Sequence, residues 1–223
     1  MIIVRRGIGL FGGTFDPVHN GHLCVAREAA RVMPLARIDF VLAPRPWQKA
    51  VATPVKERLT LLEEAIDGNP LFAVNTIELM RDGDTYTIDT LRQMRALVGP
   101  STPLVLILGA DQWKNFHTWR SWSEFLDFAN IALCNRASEM PRAAPEVEAF
   151  VKGRFKDASE ITNAPAGSLC MFSIPAHQAS STKIRELFAR LPQQEAFRQL
   201  ENWLPVKVAR RIAAQGLYGS AHH

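Results

Sequence analysis

Long apolar runs are missing from this 223-residue chain. The longest, at 104–110, is far too short to cross a bilayer, and Arg5-Arg6 leads into glycine-rich sequence without the apolar core of an export signal. A membrane-spanning or exported protein is therefore not expected. Cysteine is scarce as well: Cys24, Cys134 and Cys170 are widely spaced, odd in number and set among apolar neighbours. This excludes a disulfide framework and reads as buried thiols in a reducing cytoplasm. Clustered basic charge is also absent. The net charge of +4 comes from dispersed residues with no run of five Lys or Arg, so no nucleic-acid footprint is drawn. What is present is core-forming material: 47% hydrophobic against 22% charged residues excludes a disordered chain.

Short apolar runs alternate with amphipathic stretches of helix length, the pattern of a parallel sheet covered by helices. Strands are predicted near 8–11, 38–42, 72–77, 104–108, 131–133 and 169–174. A helix is predicted over 21–33, where Leu23, Ala26, Ala29, Ala30 and Met33 form one stripe. Two more are predicted over 55–66, up to Asp67-Gly68-Asn69-Pro70, and over 88–97, up to Gly99-Pro100. The proline-rich stretch 44–54 is a predicted loop after a strand, where this class of fold places ligand contacts. The Ala- and Pro-rich stretch 137–166 is less regular. Beyond Ser180 the chain reads as helical, with one helix from about Thr182 and another over 204–216. The expected fold is α/β, a doubly wound, mostly parallel sheet over 1–180, with a small helical appendage at 181–219.

Gly12-Gly13 ends the first strand and leads through Thr14-Phe15-Asp16-Pro17 into a helix, delivering bare backbone amides where anions bind. The spacing matches neither the Walker A loop nor Gly-x-Gly-x-x-Gly. His19 and His22, an i, i+3 pair at the helix start, can project to one side, with Gly21 between them permitting close approach. Two nitrogen donors there suit the charge that builds on a phosphoryl group under in-line attack. One His alone in such a turn is ordinarily a capping or core residue. Zinc would require a third ligand at workable spacing, and none follows, so no metal-ligating set is assigned.

Ser180-Ser181-Thr182 before a helical stretch is ordinary N-cap chemistry. Arg185, four residues after Ser181, can fold back over the helix start and add a fixed cation. Gly109 and Asp111 follow the fourth predicted strand. Asp111 reads either as a helix N-cap or as an acceptor for ribose hydroxyls at the carboxyl end of the sheet.

The run Gly12-Gly13-Thr14-Phe15-Asp16-Pro17-Val18-His19-Asn20-Gly21-His22 resembles the signature of the adenylyltransferase branch of the nucleotidyltransferase superfamily, and Ser180-Ser181-Thr182-Lys183-Ile184-Arg185 resembles its second motif. Tyr86-Thr87-Ile88-Asp89-Thr90 and Phe116-His117-Thr118-Trp119 resemble segments of the nicotinate mononucleotide adenylyltransferases. Pro46-Trp47-Gln48-Lys49 resembles the segment that touches the mononucleotide phosphate, with Gln48 where a His is frequent. The resemblance runs from Ile8 to Tyr218.

It implies a Rossmann-like fold and direct adenylyl transfer from ATP to nicotinate mononucleotide, giving deamido-NAD and pyrophosphate. By the same resemblance His19, His22 and Arg185 act on the phosphates. ATP is contacted by Gly12, Gly13, Thr14, Phe15, Gly109, Asp111, Ser180, Ser181 and Thr182. The mononucleotide is contacted by Gln48, Lys49, Tyr86, Thr87, Trp119 and Arg136, with Trp119 stacking on the pyridine ring and Thr87 near its carboxylate. Thr87 also reads as a helix N-cap, and with five Trp most are expected in the core. Mg2+ is implied by triphosphate chemistry, held mostly by phosphates and water.

Rival readings are a transferase that uses nicotinamide mononucleotide or phosphopantetheine, and a nucleotide sensor without turnover. Pantetheine enzymes resemble a much shorter chain lacking the Tyr-Thr and Thr-Trp segments, and a sensor is expected to have lost a His or Arg185. The enzymatic reading requires His19, His22 and Arg185 to converge.

Overall fold

Six strands pair in parallel throughout: β1 (Gly7–Gly13), β2 (Leu35–Leu42), β3 (Phe72–Asn75), β4 (Leu104–Gly109), β5 (Asn130–Asn135) and β6 (Leu169–Ser173), in the order β3-β2-β1-β4-β5-β6. The computed structural model describes residues 6–45, 51, 53–135, 141–175 and 177–219. A parallel sheet covered on both faces needs near-continuous apolar strands. The apolar runs 104–108 and 131–133 meet that need, with no residue more than 3% exposed. The strand order reverses between β1 and β4, which puts the topological switch point of this sheet at their carboxyl ends.

The helices are α1 (Asn20–Val32), α2 (Val55–Ile66), α3 (Thr87–Val98), α4 (Ala110–Lys114), α5 (Phe125–Phe128), α6 (Pro145–Val151), α7 (Ser181–Arg190), α8 (Gln193–Gln199) and α9 (Val206–Gln215). The stripe Leu23, Ala26, Ala29, Ala30 and Met33 is buried. The end of α9 is set by Gly216, whose left-handed φ of 61° suits glycine, and its start by Pro205. The doubly wound α/β architecture is thus observed, with a sheet that is wholly rather than mostly parallel.

Three local expectations are corrected. The third strand stops at Asn75 instead of 77, because the Asn75 side chain accepts from the Ile77 amide at 3.0 Å and turns the chain into a 3-10 helix, Ile77–Met80. The tail holds an additional helix, α8, after Pro192. Cys134 and Cys170 are buried as expected, but Cys24 is only half-buried. Burial pushes the Cys170 thiol up to about 12, which keeps it protonated.

The chain divides into two compact units. The first, Met1–Gly13, Val25–Ala50 and Pro70–Pro175, contains the whole sheet. Its core joins Leu106, Leu108, Ile131 and Leu133 to Leu91, Met94 and the rings of Trp113, Phe116, Trp119 and Phe125. The second gathers Thr14–Cys24, Val51–Asn69 and Ala176–His223. In it α2 packs on α9, with ion pairs Arg211–Glu64 and Lys207–Asp67 across them. No helix among the described residues is long and apolar enough to cross a membrane.

Candidate active site

In the second unit, the segment 14–22 is held in an unusual backbone. Phe15 has φ of 47°, sterically costly for a residue with a side chain, and its ring is 1% exposed and meets the His22 ring edge-on at 5.1 Å. The imidazoles of His19 and His22 stack at 3.7 Å with 23° between their planes. His19 is buried to 6% exposure, and His22 is half-buried. The His19 amide donates to Nδ1 of His22 at 3.2 Å. With Nδ1 accepting, the proton of a neutral His22 ring resides on Nε2, which becomes a donor suited to an anion. A Cβ at Gly21 would come within 3.0 Å of the His19 ring, so glycine at this position leaves the ring its room.

The second motif reaches the same segment. Ser180 caps α7 by accepting from the Lys183 amide at 3.2 Å, the N-cap role expected from sequence. Ser181 Oγ donates to the Pro17 carbonyl at 3.0 Å, and Arg185 Nη1 donates to the Asp16 carbonyl at 2.6 Å. The Asp16 carboxylate, 4.0 Å from Arg185 Nη1, accepts from the Tyr218 hydroxyl at 2.9 Å. Burial, then the Asp16 charge, pushes the Tyr218 hydroxyl up, so it stays a donor. Arg185 thus bonds the backbone of the short segment that carries His19 and His22.

Two residues that brace this segment went unnoticed in the sequence. Arg58 is 1% exposed and donates Nη1 to the Thr14 carbonyl at 2.8 Å and Nε to the Thr53 carbonyl at 3.2 Å. Burial lowers its pKa, opposed by the charge of Asp16. The signal was available: Arg58 stands with Leu61, Leu62 and Ile66 on the buried face of α2, where an arginine is out of place unless it is bonded. Tyr218 carries no such pattern.

In the first unit, a Cβ at Gly12 would meet nothing within 4 Å, and Gly13 is tied by its carbonyl to the Ala43 amide at 3.0 Å. Gly109, not Asp111, caps α4, and its amide donates to Gln112 Oε1 at 2.9 Å. Asp111 is exposed in the first turn. The cap of α3 is Tyr86, whose carbonyl accepts from the Asp89 and Thr90 amides, so Thr87 is the first helical residue and not the cap. Trp119 is 9% exposed, packed on Phe116 and Phe125, and its Nε1 lacks a hydrogen-bond partner among the described residues. Gln48, Lys49 and Arg136 lie outside the described residues. Among the described residues no group of three or more His, Cys, Asp or Glu is placed to hold a metal ion.

The pattern of the Cytidylyltransferase-like family matches residues 10–187, a span that takes in both motifs. A Marinobacter nauticus protein named "Probable nicotinate-nucleotide adenylyltransferase" is 35% identical over 213 residues, covering 95% of this chain and 96% of the relative. A Bordetella petrii protein of the same name is 37% identical over 215 residues, covering 96% of this chain and 99% of the relative. Among solved structures, Plasmodium falciparum nicotinic acid mononucleotide adenylyltransferase complexed with NaAD has a TM-score of 0.72 at 16% identity, covering 96% of this chain and 98% of that one, a likeness of fold. Similarity at this level along nearly the whole length leaves one conclusion: the chain belongs to the cytidylyltransferase-like family and, within it, to the nicotinate-nucleotide adenylyltransferases.

Proposed function

We propose that this protein transfers the adenylyl group of ATP to nicotinate mononucleotide, giving deamido-NAD and pyrophosphate. The observation that supports it most is the gathering of an imidazole pair and a guanidinium on one segment, with Arg185 bonded to the carbonyl of Asp16, three residues before His19. Donors fixed before the substrate arrives suit a reaction whose charge grows on phosphoryl oxygens.

In the proposed step an oxygen of the mononucleotide 5'-phosphate attacks the α-phosphorus of ATP. The new P–O bond forms as the bond from that phosphorus to the bridging oxygen breaks, and pyrophosphate leaves with the electron pair. His19, His22 and Arg185 stabilise the charge, and Ser180, Ser181, Thr182, Thr14 and Phe15 line the phosphates. Gly12, Gly13, Gly109 and Asp111 serve ATP, Asp111 through ribose hydroxyls. Tyr86, Thr87 and Trp119 receive the pyridine ring, while Gln48, Lys49 and Arg136 serve the mononucleotide. Magnesium enters as part of the ATP complex, held through phosphate oxygens and water. The setting is the cytoplasm, in keeping with the few and widely spaced cysteines.

The test is pyrophosphate release from ATP with nicotinate mononucleotide, nicotinamide mononucleotide or phosphopantetheine as acceptor. The highest kcat/KM is expected with nicotinate mononucleotide. Release with none of them would sink the enzymatic reading and favour a nucleotide sensor.

A further inference from the structure

A carboxylate and a carboxamide on a pyridine ring have nearly the same shape, so a protein that prefers one must respond to charge. In the first unit, Arg120 directly follows Trp119 and holds its guanidinium 4.9 Å from the centre of the Tyr86 ring. Arg120 is exposed, and among the described residues it forms no ion pair. Two other arginines of the unit are committed. Arg92 bonds both Asp89 and Glu124, and Arg81 bonds Thr90 and Gln93. The neighbouring Trp119 adds a buried indole N–H with no acceptor among the described residues. A buried donor left in that state calls for a partner.

We propose that Arg120 is a specificity-determining residue, whose guanidinium supplies the positive charge that favours nicotinate mononucleotide over nicotinamide mononucleotide. The inference rests on the functional reading above and extends it to a residue outside both motifs. Attraction to the face of Tyr86 fixes where the cation sits without using its N–H donors in plane. A guanidinium held this way keeps both its charge and a fork that fits a carboxylate. An arginine already paired with Asp or Glu would present a cancelled charge, and a carboxamide gains no ionic attraction from a free one.

The experiment is paired steady-state kinetics with both mononucleotides at saturating ATP. R120Q is expected to lower kcat/KM for nicotinate mononucleotide about tenfold or more, chiefly through KM, the size of one hydrogen bond to a charged group. The nicotinamide substrate should change by less than about twofold, so the selectivity ratio collapses. R120K should retain part of the ratio and R120E should lower it beyond R120Q. Added salt should erode the ratio of the wild type and leave that of R120Q unchanged. Because Arg120 is exposed, the melting temperature of R120Q should match the wild type. Equal losses for both substrates, or a ratio that survives R120Q, would overturn the inference alone. Wild-type protein that releases pyrophosphate with neither mononucleotide would overturn the functional reading and this inference with it.

Discussion

Residues 14–24 with the start of α7 are held by directed polar bonds, whereas residues 86–122 are held by ring packing. In the first region Arg58, Ser181 and Arg185 each donate to a backbone carbonyl between Thr14 and Pro17, and Tyr218 donates to the Asp16 carboxylate. In the second, the Phe116 ring meets those of Trp113 and Phe125 at 5.1 Å and that of Trp119 at 5.8 Å. There the indole N–H groups of Trp113 and Trp119 bond to no described residue. The first arrangement makes geometry at the cost of sequence freedom, because each donor has one carbonyl to find. The second makes a cohesive wall from residues that any core could use. Directed bonding therefore shows in a sequence as polar residues in turns, while a packed ring wall is drawn from the same alphabet as the rest of the hydrophobic interior.

On that contrast, losing an imidazole of the polar region should show in rate, whereas losing a bond that only braces the chain should show in stability. His22→Ala should lower kcat by roughly 10²–10³ while raising KM for ATP far less, the loss typical of one transition-state donor. Single-turnover rates would check it, and an unchanged kcat would count heavily against a role in chemistry. Next in size, Tyr218→Phe should cost about 1–3 kcal/mol of unfolding free energy in urea, because Asp16 is 6% exposed and loses a bonded donor. A variant as stable as the wild type would mean that the end of the chain does not brace the segment.

The smallest effect is expected at Glu78, in the 3-10 helix Ile77–Met80 that precedes α3. Its carboxyl is 7% exposed and receives the Thr90 hydroxyl at 2.6 Å. Burial holds its pKa above the usual 4.5, only partly offset by Thr90, Thr85 and Arg81. A carboxyl raised in the folded state contributes most below its unfolded pKa, and this contribution is lost as pH climbs through the folded value. Glu78→Gln stays neutral and keeps an acceptor for Thr90. Its melting temperature relative to the wild type should therefore rise by a few degrees between pH 4 and pH 7. A difference that stays flat across that range would show that Glu78 does not titrate there.

Where apolar period and breaker residues agreed, the sequence was sufficient: α2 occupies 55–66 as predicted, and all six strands lie where short apolar runs fall. Expectations failed at element ends. Asn75 ends β3 early because its side chain bonds the amide two residues on, and Tyr86 rather than Thr87 caps α3, through its carbonyl alone. The candidate site was legible in its two motifs because glycine, histidine and arginine in those turns have few bland explanations together. Arg58 is legible as a bonded arginine on an apolar helix face, but its distant partner is not, and nothing local announces the carboxylate that Tyr218 meets.

The buried guanidinium on α2 sets the size of the part that could be moved to another protein. Grafting 12–22 onto a foreign sheet would carry the imidazoles but leave behind the cation that keeps the Thr14 carbonyl from swinging toward water. The smallest portable module is thus discontinuous, a loop together with a helix from the middle of the chain and a clasp from its end.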